Sequence, residues 1–159
     1  MRCAGRGGAC AEGDARGCVV DQRSSLCHDA GMSADLISMA RSAAAKAYAP
    51  HSRFHVGCAL RTEAGLVYTG CNVENASYGL TICAERNAIF HAVAEEGPGM
   101  RVATLAVVCE EQEFPPCGAC RQVIAEFATP QTAVWFLKGG GPVAMTVADL
   151  LPSAFHLAG

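Results

Sequence analysis

Charged residues and long apolar runs are both scarce in this chain of 159 residues. Asp, Glu, Lys and Arg make up only 17% of it, the formal net charge is −3, and Lys and Arg never follow one another. Because a nucleic-acid-binding surface normally needs a cluster of basic residues, this composition argues against a nucleic acid partner. No apolar run reaches the roughly 18 residues that a membrane-spanning helix needs, so we expect no membrane segment.

No signal peptide is visible, although the chain contains ten cysteines. In a short secreted chain, ten cysteines would indicate a disulfide framework. Without a secretory signal, and with three cysteines better explained as metal ligands, the composition favours a protein of the reducing cytoplasm. Hydrophobic residues reach 51%, which is high for a small monomer and predicts a buried interface between subunits.

Residues 1–31 differ in composition from the rest of the chain. They are rich in Gly, Arg and Cys and show no apolar periodicity. They contain four Arg against four Asp or Glu, which argues against an organellar transit peptide. We expect this segment to be disordered, or to be an extension that folding does not require, and residues 32–159 to form one domain.

From residue 32 onwards, helix and strand patterns alternate. They predict helices at 34–48, 83–96 and 117–128, strands at 56–61, 66–71, 102–109, 133–137 and 143–146, and a short C-terminal helix that starts at Thr146 or Asp149. Ser33 is a suitable N-cap for the first helix, and 139–142 are expected to form a turn. A hairpin followed by strand–helix alternation predicts an α/β fold with three layers, α/β/α, around a central mixed five-stranded sheet.

Two segments carry candidate metal ligands, Cys83-Ala84-Glu85 and Pro116-Cys117-Gly118-Ala119-Cys120. Three thiolates occupy three corners of a zinc tetrahedron and leave the fourth position open, which distinguishes a catalytic zinc site from a closed structural one. Glu85 is two residues from the first thiol, where its carboxylate can serve as general acid and base. The pattern therefore predicts one catalytic Zn²⁺ per chain, bound by Cys83, Cys117 and Cys120.

Both ligand segments are expected at helix starts. Residues i and i+2 do not face each other inside a helix, so Cys83 and Glu85 can serve one site only where a helix begins. Cys117 and Cys120, at i and i+3, share one helix face. Helix N-termini also favour thiolate over thiol. The alternatives are a closed structural zinc site with a fourth ligand elsewhere, and reduced thiols in the core.

The residue after Glu85 is an arginine whose role the pattern leaves open. Zinc with three thiolates carries a formal net charge of −1, and Arg86 can offset it. From the pattern alone, an exposed arginine on the helix surface is the simpler interpretation.

A polar segment, 70–79, lies between the second strand and the zinc motif. Asn72 and Glu74 alternate there, so in extended backbone both point to one side, where an amide and a carboxylate suit a pair of sugar hydroxyls. The alternative is a turn whose side chains satisfy its own backbone.

Five segments together resemble the motifs of the small homotetrameric cytidine deaminases. They are 48–60, 70–76, 83–86, 116–123 and 150–155, and they occur in the order and at the spacing of that family. The resemblance implies the family's fold, and it extends from about residue 32 to residue 155. Residues 1–31 have no counterpart in the pattern, and His51 stands where the family commonly has Tyr near the subunit interface.

The resemblance also implies roles for individual residues. Cys83, Cys117 and Cys120 would bind zinc, Glu85 would move protons, and Arg86 would donate hydrogen bonds to the thiolates. The expected substrate contacts are Phe54 beside the pyrimidine, Asn72 and Glu74 at the ribose hydroxyls, the backbone of Ala84 at the base, and Tyr78 and Phe155 reaching the site of a neighbouring subunit.

The expected activity is zinc-dependent hydrolytic deamination of cytidine and 2′-deoxycytidine to uridine and 2′-deoxyuridine, in a homotetramer with shared active sites. The nearest alternative is a blasticidin-type deaminase, which shares the Cys-Ala-Glu element and the cysteine pair and acts on a nucleoside antibiotic. A tRNA or DNA base deaminase is disfavoured because such enzymes usually carry His-x-Glu. A zinc interaction module without catalysis would not need Glu85 at this position or the pair of Asn72 and Glu74.

Overall fold

The computed structural model describes residues 34–155, and a five-stranded sheet lies at their centre. Its strands are β1 Val56–Thr62, β2 Val67–Cys71, β3 Val102–Cys109, β4 Ala128–Lys138 and β5 Gly141–Thr146. Their order across the sheet is β2-β1-β3-β4-β5. Only β3 and β4 are parallel neighbours, and the other three pairs are antiparallel. The prediction of a mixed five-stranded sheet is therefore confirmed.

Helices cover both faces of the sheet. They are α1 at 34–44, α2 at Ala84–Glu96, α3 at Gly118–Phe127 and α4 at Val147–Leu150, with a short 3-10 helix at Tyr78–Leu80. Leu36 and Ile37 of α1 pack on one face of the sheet, where Ala106 of β3 is buried. Ile89 of α2 and Ile124 of α3 lie in the larger apolar cluster on the opposite face. The three-layer α/β/α prediction is confirmed, and β3, buried from Leu105 to Cys109, is its central strand.

The first helix is shorter than the sequence predicts, because α1 ends at 44 rather than 48. Tyr48 instead forms an isolated bridge with Val73. Its backbone N–H donates to the carbonyl of Asn72, and its carbonyl accepts from the N–H of Glu74. These contacts with a distant segment override the local helical preference. Ser33, the predicted N-cap, lies outside the described residues.

The last two strands are longer than predicted. β4 begins at Ala128, five residues before the predicted start at 133. Ala128 pairs with Val102 of β3, and after a register shift the regular pairing resumes at Ala133 with Thr104. The turn is confined to Gly139 and Gly140, whose φ angles are 65° and 81°. Since glycine adopts positive φ without strain, two residues suffice and β5 starts at Gly141. The short helix α4 begins as predicted, with a capping box between Thr146 and Asp149.

Two glycines let helices lie directly on the sheet backbone. A Cβ at Gly57 of β1 would be 1.9 Å from the carbonyl oxygen of Ala40 and 2.4 Å from the backbone nitrogen of Ala44, both in α1. A Cβ at Gly70 of β2 would be 2.5 Å from the nitrogen of Ala88 and 2.6 Å from the oxygen of Ala84, both in α2. The contact at Gly70 fixes the height of α2 above the sheet, and α2 begins next to the metal ligand Cys83.

None of the helices within residues 34–155 combines the length and the apolarity that crossing a membrane requires.

Replacing Gly57 by Ala is expected to destabilise the fold, because the new methyl group meets backbone atoms of α1. Overpacking of this kind typically costs about 1–3 kcal/mol of unfolding free energy. Chemical denaturation followed by circular dichroism measures it. Gly99→Ala is the matched control, since a Cβ there has no atom within 4 Å. Equal stability of the two variants would contradict the close contact.

Candidate active site

Three thiols converge where α2 and α3 begin. The sulfur atoms of Cys83, Cys117 and Cys120 all lie within 4.8 Å of one another. Zinc–sulfur bonds of about 2.3 Å in a tetrahedron put sulfur atoms roughly 3.8 Å apart, so the group fits a zinc ion. In the part of the chain that the structure describes, no fourth Cys, His, Asp or Glu belongs to the group. The donor set is therefore that of an open site rather than a closed one.

The helix starts present the thiols to the metal. Cys83 is the N-cap of α2 and Cys117 the N-cap of α3, and neither side chain caps its own helix. Their carbonyls instead accept the first helical hydrogen bonds, from the N–H groups of Asn87 and Arg121. Both sulfur atoms stay available, and both lie at the positive end of a helix dipole. The prediction that the two ligand segments open helices is confirmed.

Arg86 is half-buried and lies against the thiols. Its Nη2 donates to the sulfur of Cys83 at 3.3 Å and to the carbonyl of Thr81 at 3.4 Å. The hydrogen bond from the Cys120 thiol, followed by the contact with Arg86, lowers the pKa of Cys83 to about 5. The same shared hydrogen bond raises the pKa of Cys120. The guanidinium group thus stabilises negative charge on the first ligand.

Glu85 is buried in the first turn of α2, with 3% of its surface exposed. Burial is the main cause that raises the pKa of its carboxyl to about 7, and the neighbouring charge on Cys83 adds to it. Burial removes the water that would stabilise a charged carboxylate, so the neutral carboxyl group is favoured.

Cys83, Cys117 and Glu85 open onto one cavity of about 330 Å³. That volume is in the range of small-molecule sites. The residues that line it are Ser52, Phe54, Val56, Asn72, Glu74, Tyr78, Thr81, Cys83, Glu85, Phe114, Pro115 and Cys117. A slightly larger cavity of about 390 Å³, beside Arg61 and Trp135, contains none of the predicted site residues.

The structure brings most of the predicted site residues to this cavity. Phe54, Asn72, Glu74 and Tyr78 line it together with the metal-site residues. Ala84 and Cys120 are fully buried behind its wall. Phe155 does not line it: 66% of its surface is exposed, and its backbone is bonded to the side chain of Gln122.

Asn72 and Glu74 both hold the loop that precedes β1. The side-chain oxygen of Asn72 accepts from the N–H of Val56 at 2.8 Å, and its nitrogen donates to the carbonyl of Phe54 at 2.9 Å. The Glu74 carboxylate accepts from the N–H of His51 at 2.7 Å and from that of Ser52 at 3.2 Å. The hydrogen bond with the Ser52 side chain is the main cause that lowers the pKa of Glu74. Both side chains thus satisfy backbone groups, although in a neighbouring loop and not in their own turn.

Sequence reasoning missed the aromatic ring that packs beside Phe54 in the cavity wall. The ring of Phe114 lies with its centroid 6.4 Å from that of Phe54, tilted by 54°. Phe114 and Pro115 directly precede the second ligand motif, and this adjacency is the signal that could have identified them. Ser52, Val56 and Thr81 carry no comparable signal.

Comparison with known proteins agrees with this geometry. The family model described as cytidine and deoxycytidylate deaminase zinc-binding region matches residues 32–136. The chain belongs to the cytidine deaminase family. The cluster of Cys83, Cys117 and Cys120 lies in that zinc-binding region, which identifies it as the zinc site.

Relatives in the cytidine deaminase family match most of this chain. The cytidine deaminase of Halalkalibacterium halodurans is 50% identical over 123 residues, covering 76% of this chain and 91% of its own length. That of Sporosarcina psychrophila is 46% identical over 123 residues, covering 76% and 88%. Among solved structures, the cytidine deaminase of Burkholderia pseudomallei superposes with a TM-score of 0.69 at 49% identity, covering 76% of this chain and 97% of that one. The Mycobacterium tuberculosis enzyme gives a TM-score of 0.67 at 42% identity, covering 77% and 95%.

Arg86→Gln is expected to keep the fold and weaken zinc binding, because the three thiolates lose their cationic neighbour. Changes of residues that contact metal ligands typically cost about 10–100-fold in affinity. Competition with a chromophoric chelator measures that affinity. The control is Arg101→Gln, whose guanidinium group, within residues 34–155, donates hydrogen bonds to the carbonyls of Pro98 and Met100 and not to a thiol. Unchanged zinc affinity in Arg86→Gln would show that the contact with Cys83 does not stabilise the site.

Proposed function

We propose that this chain catalyses the hydrolytic deamination of cytidine and 2′-deoxycytidine to uridine and 2′-deoxyuridine, with release of ammonia. The observation that carries the proposal is the single cavity onto which Cys83, Cys117 and the buried carboxyl of Glu85 open. An open zinc site with a carboxyl group beside it is the arrangement that hydrolytic deamination of a pyrimidine requires.

The three thiols are the residues that would hold the metal. When bound, zinc supplies a Lewis acid that lowers the pKa of water from 15.7 to about 7. Arg86 donates to the Cys83 thiolate, and the two helix starts direct their positive ends at the same place. These groups stabilise negative charge at the Cys83 sulfur and hold it in place.

Glu85 is proposed to move the protons. Its carboxylate accepts a proton from the attacking water and delivers it to ring nitrogen 3 of the pyrimidine. The carboxylate then takes the remaining proton from the new hydroxyl group on carbon 4 and passes it to the amino nitrogen. As the bond from carbon 4 to that nitrogen breaks, ammonia leaves and the hydroxyl oxygen becomes the carbonyl oxygen. One water is consumed, and the carbonyl oxygen of the product derives from it.

The remaining cavity residues are proposed to hold the nucleoside. Phe54, supported by Phe114 beside it, packs against the pyrimidine ring, and the backbone of Ala84 contacts the base. The Glu74 carboxylate accepts hydrogen bonds from the ribose hydroxyls, because a carboxylate that receives two backbone N–H groups still has free lone pairs. The Asn72 amide can accept from or donate to the same hydroxyls. Holding the base in one orientation lowers the entropic cost of the reaction.

A homotetramer with shared active sites is proposed as the working form. Tyr78 lines the cavity with 61% of its surface exposed, and Phe155 and Leu80 are each 66% exposed. Large apolar side chains left exposed, one of them in the wall of the substrate cavity, favour a neighbouring subunit as the group that covers them. We further propose that residues 32–159 form the whole catalytic domain, because the family match begins at residue 32.

Glu85→Gln is expected to retain zinc and the fold but to lose turnover by 10²-fold or more, since proton-transfer groups typically contribute about 10²–10⁴-fold. The loss of cytidine absorbance follows the reaction, and elemental analysis follows zinc. Glu95→Gln, exposed on the same helix, is the control.

A chain that starts at residue 32 should match the full-length rates. Blasticidin S as substrate tests the antibiotic-deaminase alternative, which predicts its turnover in preference to cytidine.

Mixed oligomers test the shared site. Phe155→Ala and Glu85→Gln are each expected to be nearly inactive alone, and their co-assembly should restore part of the cytidine turnover. Activity returns because some sites then combine an intact Glu85 from one chain with an intact Phe155 from another. Phe54→Ala mixed with Glu85→Gln is the control without recovery, since both residues line one chain's cavity. Failure of the first mixture to recover, or an active monomer in sedimentation, would refute a contribution of Phe155 to a neighbouring subunit.

A further inference from the structure

The cavity walls begin where two central strands separate. Val56 of β1 and Cys109 of β3 form the last pair of their ladder at this end. Beyond that pair, one loop leads back to Phe54 and the other leads forward to Phe114. These two rings both line the cavity and pack on each other there, with centroids 6.4 Å apart and a tilt of 54°. The relative position of the two loops therefore sets how the Phe54 ring is placed in the cavity wall.

A histidine and a glutamate join the loops at this point. The Nδ1 atom of His55 lies 2.7 Å from Oε1 of Glu111, and the backbone N–H of His55 donates to Oε2 at 3.3 Å. The thiol of Cys109 also donates to Oε2, at 3.3 Å. The hydrogen bond from His55 lowers the pKa of Glu111 to about 2. Since an ionised carboxylate only accepts, the proton lies on Nδ1 of His55.

The other side of the same loop is held by different groups. Glu74 accepts from the N–H groups of His51 and Ser52, and Asn72 holds the backbone on both sides of His55. Between these contacts Arg53 has a φ of 63°, a conformation that a residue other than glycine rarely adopts unless its surroundings enforce it. Among the side-chain hydrogen bonds of residues 34–155, those of Glu111 are the ones that tie loop 51–55 to loop 110–115.

We propose that His55 and Glu111 form a positioning pair, which holds Phe54 at its distance from Phe114 and so determines how tightly the cavity binds the pyrimidine. Neither side chain lines the cavity, so the pair acts through Phe54 and does not touch the substrate. The proposal rests on the proposed function for its kinetic readout only.

The adjacent residue provides a matched control. Glu110 carries the same carboxylate on the same loop, but it is bonded to Nε of Arg41 in α1, on the other face of the sheet. Glu110→Ala therefore removes an exposed carboxylate contact of similar kind without loosening the loop that carries Phe54.

Kinetics on cytidine give the first test. His55→Ala and Glu111→Ala are expected to raise KM roughly two- to fivefold, the range that a half-exposed pair supports, with kcat within about twofold of wild type. The double variant should show no further increase. His55→Asn should restore KM, because an asparagine amide places a donor near the position of Nδ1. Normal KM in both alanine variants, no rescue by His55→Asn, or an equal effect of Glu110→Ala would each overturn the proposal.

Amide hydrogen exchange gives a test that does not depend on activity. In Glu111→Ala, with zinc content unchanged, exchange should accelerate in 51–56 and 111–115 together, and in Glu110→Ala it should not. Unchanged exchange in Glu111→Ala would refute the positioning pair even if cytidine is turned over. Accelerated exchange in a protein that does not turn over cytidine would retain the pair and refute the proposed function.

Discussion

Three thiolates around one ion concentrate negative charge at a single point, and much of this structure is organised around that charge. Two helices begin there, so their positive ends face it, and the Arg86 guanidinium group lies 3.3 Å from the first sulfur. Within the described residues, 34–155, no fourth Cys, His, Asp or Glu joins the three thiols. Charge compensation and an open coordination position thus come from one arrangement.

The sheet supplies the rest of the site by placing chain segments that are distant in sequence. α2 rests on Gly70, whose missing side chain lets the helix lie close to β2. Its first turn, with Glu85, is then held over the segment that carries Asn72 and Glu74. Those two side chains fix the loop of Phe54, and Glu111 fixes it from the loop that follows β3. The site is thus held through the sheet as well as through the metal.

Prediction from sequence worked where a local pattern contains its own explanation. The spacing of Cys83, Glu85, Cys117 and Cys120 requires helix starts, and the structure has them. Prediction failed where a residue distant in sequence determines the local structure. Helix α1 stops early because Tyr48 pairs with Val73, and the residues next to Tyr48 in sequence do not reveal that pairing. Glu111 was missed for the same reason, since its role depends on its contact with His55, 56 residues away in sequence. The roles of Tyr78 and Phe155 depend on a second copy and remain predictions.

The two glycine contacts also have a genetic consequence. At Gly57 and Gly70 the atoms that would meet a new side chain include backbone oxygen and nitrogen atoms of the facing helices. A clash between two side chains can be relieved by shortening the partner, but no codon change shortens a carbonyl group. A larger residue at either position therefore has no second-site suppressor across the contact, and a screen for revertants should return mainly glycine itself.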